Sequence, residues 1–392
     1  MIRALAVLAV LATGAAAPGV TPTRIAIGSS GPLTGEASAQ AGILRGADAY
    51  FKYVNGRGGV NGRTIDFTYL DDASDASRTA DNVRRLVEQD HVLALFSIVG
   101  TEPNLAVRAY TTAAGVPQLF SASAATTLGR DYARYPLEMG YCPPFAEEGE
   151  IYARSILATN PKKARIAVLY QNDAYGNDLL QGFRKGLGAR GSLIVRTAGY
   201  ESTAADVDTE VDELKQSGAN TLAIFAFGKF ATQAFAEAAR LGWAPQTYVN
   251  AVAAAPSIMK HAPQKTAEGA ISILWAKEPG TTTFATDSGV ALAQKIAGIY
   301  IPGGSRVDGF EIAGMAEAVT MVDAIAHAGK ALTRKSLMAS ALRLDEANNP
   351  FLAPGVTVHT TPTSRFPVSS VQLQRWHAGR WVPFGGVQSA GR

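Results

Sequence analysis

From residue 24 onward the chain alternates short apolar runs with longer stretches whose apolar residues recur at helical spacing, and it does so twice in series. Residues 24–28, 64–70, 92–98 and 117–120 read as strands, with helices predicted over 37–54, 78–89 and 105–114. The run 92–98 is apolar almost throughout, the pattern of a parallel strand covered on both faces. Ile43, Ala47, Tyr50 and Val54 fall near one helix face, and Asn55-Gly56-Arg57-Gly58-Gly59 supplies C-cap and turn residues. After Pro143-Pro144 the rhythm restarts, with helices over 147–158, 179–187, 207–216 and 232–241 and strands over 165–170, 193–200 and 222–227. Two serial runs of βα units, interrupted at 137–144, predict an α/β protein of two doubly wound lobes. Beyond Asn250 the pattern is mainly helical, over 284–300 and 311–328, and then strand-like over 356–384. A strand-rich tail after a helical segment implies that the chain passes between the lobes more than once.

Composition narrows the function. A chain of 392 residues is long enough for two or three core-forming units. Its 36 Lys and Arg against 33 Asp and Glu leave a charge of +3, spread along the chain without a basic run. Nothing in that distribution would track a phosphate backbone, so no nucleic-acid partner is expected. Met1-Ile2-Arg3, the apolar residues 4–12 and the small residues 13–17 have the layout of a secretory signal peptide over 1–17, cut after Ala16 or Ala17. The apolar run is far shorter than the ~20 residues a membrane span needs. An exported, soluble protein is expected. The single cysteine, Cys142, permits no intramolecular disulfide and no zinc framework, and it reads as a small buried side chain.

The chain lacks recognisable catalytic patterns. The loop Gly28-Ser-Ser-Gly31-Pro-Leu-Thr-Gly35 has neither G-x-G-x-x-G nor a terminal Gly-Lys-Ser/Thr, and Pro32 removes an amide that would face a phosphate. The five histidines are scattered and no G-x-S-x-G elbow occurs. Asp71-Asp72, at a strand end, reads as a turn and cap pair rather than a metal pair. The expectation is therefore a non-enzyme without cofactor or metal. An exported two-lobed α/β protein has a natural use, closing its lobes on a small molecule at the C-terminal edges of the strands.

Specific stretches then resemble a known family. IGSSGPLTG (27–35), GGVNGR (58–63), LDDASD (70–75), GVPQLFSAS (115–123), VLYQNDAYGNDLLQGF (168–183) and PTSRFPVSSVQLQRW (362–376) match, in order, the periplasmic solute-binding proteins of ABC importers. The likeness is to their branched-chain amino-acid (Leu/Ile/Val) binding group. It implies a Venus-flytrap, type I periplasmic binding protein with three crossovers, expected near 137–144, 248–253 and 352–358. Lobe 1 is then 24–140 plus 253–352, and lobe 2 is 143–249 plus 356–388. It further implies a monomer in the periplasm that binds a small-molecule ligand and docks transiently on an ABC permease in the inner membrane. A ligand sensor for a membrane receptor would use the same closure.

The resemblance also implies a site. Ser121, Ala122 and Ser123 fall where such proteins bind a ligand carboxylate, through backbone N–H groups and a hydroxyl. Gly100 and Thr101, before a helix, match the other half of that pocket. Tyr175 matches the second-lobe aromatic that closes over the ligand, and Phe227 adds apolar wall. Amino-acid binders of the group usually carry an acid after the strand ending near Val249; this chain has Asn250 instead. An enclosed ammonium without a partner would cost on the order of several kcal/mol. Either Asn250 and carbonyls substitute, or the ligand is an organic acid, aromatic or hydrophobic, lying between Tyr175 and Phe227.

Overall fold

The computed structural model describes residues 17–160, 162–304 and 307–389. Nearly all of the expected signal peptide lies outside them. Strands β1 (Arg24–Gly31), β2 (Thr64–Asp71), β3 (Ala94–Phe96), β4 (Gln118–Ser121) and β5 (Glu138–Gly140) form one parallel sheet in the order β2-β1-β3-β4-β5. A second sheet contains β6 (Ile166–Gln171), β7 (Ile194–Tyr200), β8 (Thr221–Phe225), β9 (Gln246–Val249) and β10 (Ile271–Leu274). A ribbon of β11 (Asp345–Glu346) and β12 (Val358–His359) stands apart. The antiparallel hairpin β13 (Ser370–His377) and β14 (Arg380–Ser389) completes the second sheet, in the order β14-β13-β10-β9-β8-β6-β7. This is the expected α/β architecture of two doubly wound lobes.

Four of the helices start where an aspartate satisfies their free amides. Asp75 accepts from Ser77 and Arg78 N–H at 2.8 and 3.1 Å, Asp173 from Gly176, and Asp287 from Gly289 and Val290. Asp308 and Glu311 form a reciprocal capping box for helix Gly309–Ala328. That helix is buried on nearly every side because it lies against helix Ala41–Asn55 within the first lobe's core. Asp71 and Asp72 take the turn duty expected of them. Asp71 accepts from Leu33, Thr34 and Ala73 N–H, and Asp72 from Ser74 N–H and the Ser30 and Thr79 hydroxyls.

Two of the three expected crossovers fall elsewhere. The chain leaves β5 at Gly140 and enters helix Phe145–Thr159 of the second lobe. The next passage is not at 248–253, because β10 pairs with β9 in parallel and with β13 antiparallel. The segment up to Leu274 therefore belongs to the second lobe, and Met259, Ala262 and Ala267 lie in its core. The last passage is not at 352–358 either: Val356, Val358 and Val368 are buried in the first lobe's core, and the chain joins the second sheet only at Ser370. The passages run side by side. Val368 N–H donates to Tyr141 O at 3.0 Å, and the Tyr141 and Trp275 rings meet edge to face at 5.9 Å.

Candidate functional site

The strand ends of the two sheets face one cleft of about 510 Å3. In the first lobe, β3 runs through Ser97-Ile98-Val99 to Gly100, which precedes helix Thr101–Ala113. Gly100 has φ +99° and ψ 154°, a region essentially closed to residues with a Cβ. Asn104 fixes this turn from below by donating to Ile98 O and Gly100 O at 2.8 and 2.7 Å. No side chain caps the helix, so its first amides remain available at the cleft. The Thr101 and Ser123 hydroxyls meet at 2.9 Å, and Ser123 Oγ accepts from Ala125 N–H at 3.2 Å. Together these groups make a small donor-rich corner suited to an anion.

The opposite wall is aromatic. Phe145, Tyr175, Phe227 and Phe230 come from the second lobe, Trp275 from the second crossover and Phe310 from the first lobe. The Tyr175 hydroxyl donates to Ala226 O at 3.1 Å, and its ring meets Phe145 edge to face at 5.0 Å. Its hydrogen bond to protein leaves the ring, rather than the hydroxyl, as the surface offered to the cleft. The lobes also touch across the mouth. Lys229 pairs with Glu36 at 2.8 Å, and Glu102 accepts from Ala174 N–H at 3.2 Å. The other lysine on the cleft, Lys277, is paired with Asp287 at 2.8 Å.

Of the residues expected in the site, Gly100, Thr101, Ala122, Ser123, Tyr175 and Phe227 line the cleft. Ser121 and Asn250 do not. Strand β4 continues through Ser121, which is fully buried, and its hydroxyl has no partner among the described residues. Asn250 is likewise fully buried: its side-chain oxygen accepts from Ala226 N–H at 3.3 Å, and Ala251 and Val252 take its place on the surface. Thr126, three residues beyond Ser123, donates its N–H to Asp178 at 2.7 Å.

Several lining residues escape the sequence patterns. Glu148 and Glu317 are 1% and 2% exposed, yet both reach the cleft, as does Cys142 between β5 and helix Phe145–Thr159. Burial lifts Glu148 to about 7 and Glu317 to about 8, from an ordinary value of 4.5. Burial, followed by the nearby Glu317 carboxyl, pushes the Cys142 thiol far up. The polar position of Glu317 within the apolar stretch 312–319 is the one sequence signal that could have marked it.

Two wound lobes meeting at their strand ends around an enclosed cleft define a two-lobed binding fold. The sequence profile of the family described as Periplasmic binding protein matches residues 24–380, and the chain belongs to that family. A Leu/Ile/Val-binding protein homolog 7 of Brucella suis biovar 1 (strain 1330) is 26% identical over 255 residues, covering 63% of this chain and 62% of the relative. The chain thus spans less than two thirds of that relative's length. Among solved structures, a branched chain amino acid ABC transporter protein of Thermus thermophilus with bound valine superposes with TM-score 0.85 at 18% identity, covering 95% of this chain and 98% of that one. A solute binding protein of an ABC transporter of Rhodopseudomonas palustris BisB5, in complex with 3,4-dihydroxy benzoic acid, gives 0.77 at 18% identity, covering 94% and 98%. At those identities the likeness is one of fold.

Proposed function

We propose that the protein is the extracytoplasmic solute-binding component of an ABC importer, that it works in the periplasm, and that it captures a small carboxylate of aromatic or hydrophobic character by lobe closure. The observation that carries this reading is the pairing of a donor-rich corner at Gly100, Thr101 and Ser123 with six aromatic side chains around the same cleft. A carboxylate gains charge-assisted hydrogen bonds at the corner while the rest of the molecule is enclosed by rings. An α-amino acid is less well served, since Asn250 is buried away from the cleft and burial favours the neutral forms of the two carboxyls that reach it, Glu148 and Glu317. The relatives bracket this choice, one holding valine and another an aromatic acid.

Isothermal calorimetry with leucine, isoleucine, valine and a set of benzoates and phenylacetates tests the reading. Saturable binding of an aromatic carboxylate, tighter than that of any amino acid, is the expected result. Tight leucine binding with none to the acids would sink it. The double substitution Thr101→Val with Ser123→Ala should weaken the best carboxylate about tenfold or more, a loss of roughly one to two charge-assisted hydrogen bonds. An unchanged Kd would remove the corner from the site.

A further inference from the structure

On the crossover side of the cleft two buried carboxyl groups stand beside Cys142, each belonging to a different lobe. Glu317 comes from helix Gly309–Ala328 and Glu148 from helix Phe145–Thr159. Each is held by protein through only one of its oxygens. Glu148 Oε1 accepts from the Tyr152 hydroxyl at 2.6 Å and from Ala251 N–H at 2.7 Å. Glu317 Oε2 meets the Ser97 hydroxyl, and Ser97 holds a left-handed φ of +54°. Such a conformation is disfavoured for a non-glycine residue, so the surrounding structure must maintain it. The second oxygens, Oε2 of Glu148 and Oε1 of Glu317, have no protein hydrogen bond among the described residues. Both side chains are more than nine-tenths buried and both line the cleft.

We propose that Glu317, supported by Glu148, receives a hydroxyl group carried by the ligand away from its carboxylate, so that the cleft selects hydroxylated aromatic acids over their unsubstituted parents. The inference rests on the carboxylate reading above. A carboxyl oxygen on the cleft wall without a protein partner is open to one from the ligand, and a ligand hydroxyl supplies one without bringing a second charge into the cleft. Burial favours the uncharged form of both acids, which suits a neutral hydroxyl better than an ammonium. The aromatic rings then fill the space between the two polar ends.

The test is calorimetry at pH 7 with benzoate, 3-hydroxybenzoate, 4-hydroxybenzoate and leucine, on the wild-type protein and on Glu317→Gln and Glu317→Leu. Wild type should bind one of the hydroxybenzoates about tenfold more tightly than benzoate. Glu317→Gln, which can still donate and accept, should keep most of that preference. Glu317→Leu should abolish it, with a cooperative thermal melt showing that the variant is folded. Equal binding of benzoate and both hydroxybenzoates by wild type, or a preference that survives Glu317→Leu, overturns the inference and leaves the carboxylate reading standing. Failure of every benzoate to bind overturns the carboxylate reading and the inference with it. Leucine binding that is lost in Glu317→Leu assigns the acid to an ammonium and overturns the hydroxyl.

Discussion

Gly314→Val is expected to cost the first lobe about 4 kcal/mol or more, enough to lower soluble yield and melting temperature sharply. The reason is a backbone-to-backbone approach. A Cβ at Gly314 would lie 1.8 Å from Ile43 O, and one at Gly46 would lie 2.2 Å from Glu311 O. Helices Ala41–Asn55 and Gly309–Ala328 therefore cross so closely that no side-chain rotation can make room. The lobe would have to move them apart, opening voids among residues that pack at near-crystalline density. Because Glu317 and Phe310 ride on the same helix, the displacement would also disturb the cleft. Gly298→Ala supplies the contrast. Gly298 lies on the exposed face of helix Ser288–Tyr300 with no heavy atom within 4 Å of its would-be Cβ. That change should stabilise by about 0.5–1 kcal/mol through helix propensity alone. Thermal melts of the two variants beside wild type decide the matter. A Gly314→Val protein with a wild-type melting temperature would show that the helices are free to separate.

The doubly wound architecture was legible because strands covered on both faces must be apolar throughout, and runs such as 92–98 and 165–170 announce themselves. Strand β10 was not. Its four residues, Ile271-Ser-Ile-Leu274, are too few to display a period, and they lie amid helical segments. Missing that one strand moved the second crossover by more than twenty residues and hid Trp275, the aromatic that follows it. The positions of Gly100, Thr101, Ser123 and Tyr175 could be carried from family likeness because they sit at strand-to-helix junctions, where sheet topology dictates what faces the cleft. Ser121 could not be separated from Ser123 in the same way, since whether β4 ends before or after it depends on hydrogen bonds to β5. Glu148 and Glu317 were beyond reach for a different reason. Glu148 shares its turn with Glu147 and Glu150, and Glu317 is a single acid in an apolar stretch; only tertiary packing decides whether each meets solvent, core or ligand.

Raising the pH from 5.5 to 8.5 should destabilise the protein by several kcal/mol, lowering its melting temperature by roughly 5–10 °C. Glu138, Glu148, Glu311 and Glu346 are lifted to about 7 and Glu317 to about 8, in each case chiefly by burial, against an ordinary value of 4.5. Between those limits the folded chain holds protons that the unfolded chain has released. The stability these groups contribute is therefore full below about pH 4.5 and is lost as the pH rises through 7 to 8. Hydrogen bonds and partners temper the loss. Glu138 keeps the Arg108 guanidinium at 2.6 Å, and Glu311 keeps Arg45 at 3.1 Å, so neither would be bare when ionised. Among the described residues Glu317 has only Ser97 as a hydrogen-bond partner, and together with Glu278, whose carboxyl burial lifts well above 4.5, it should carry a large share. Replacing it with glutamine removes the titration while preserving shape, so Glu317→Gln should flatten the upper part of the pH profile, above about pH 6.5. Glu346→Gln, away from the cleft, should flatten a lower part of it. Melting curves of the three proteins from pH 5 to 9 measure this directly, and a wild-type profile that rises toward pH 8.5 would show that these carboxyls are hydrated rather than desolvated. Ligand links the two roles of Glu317. Saturation with a hydroxybenzoate should raise the melting temperature of wild type and Glu317→Gln alike, and should do so far less for Glu317→Leu.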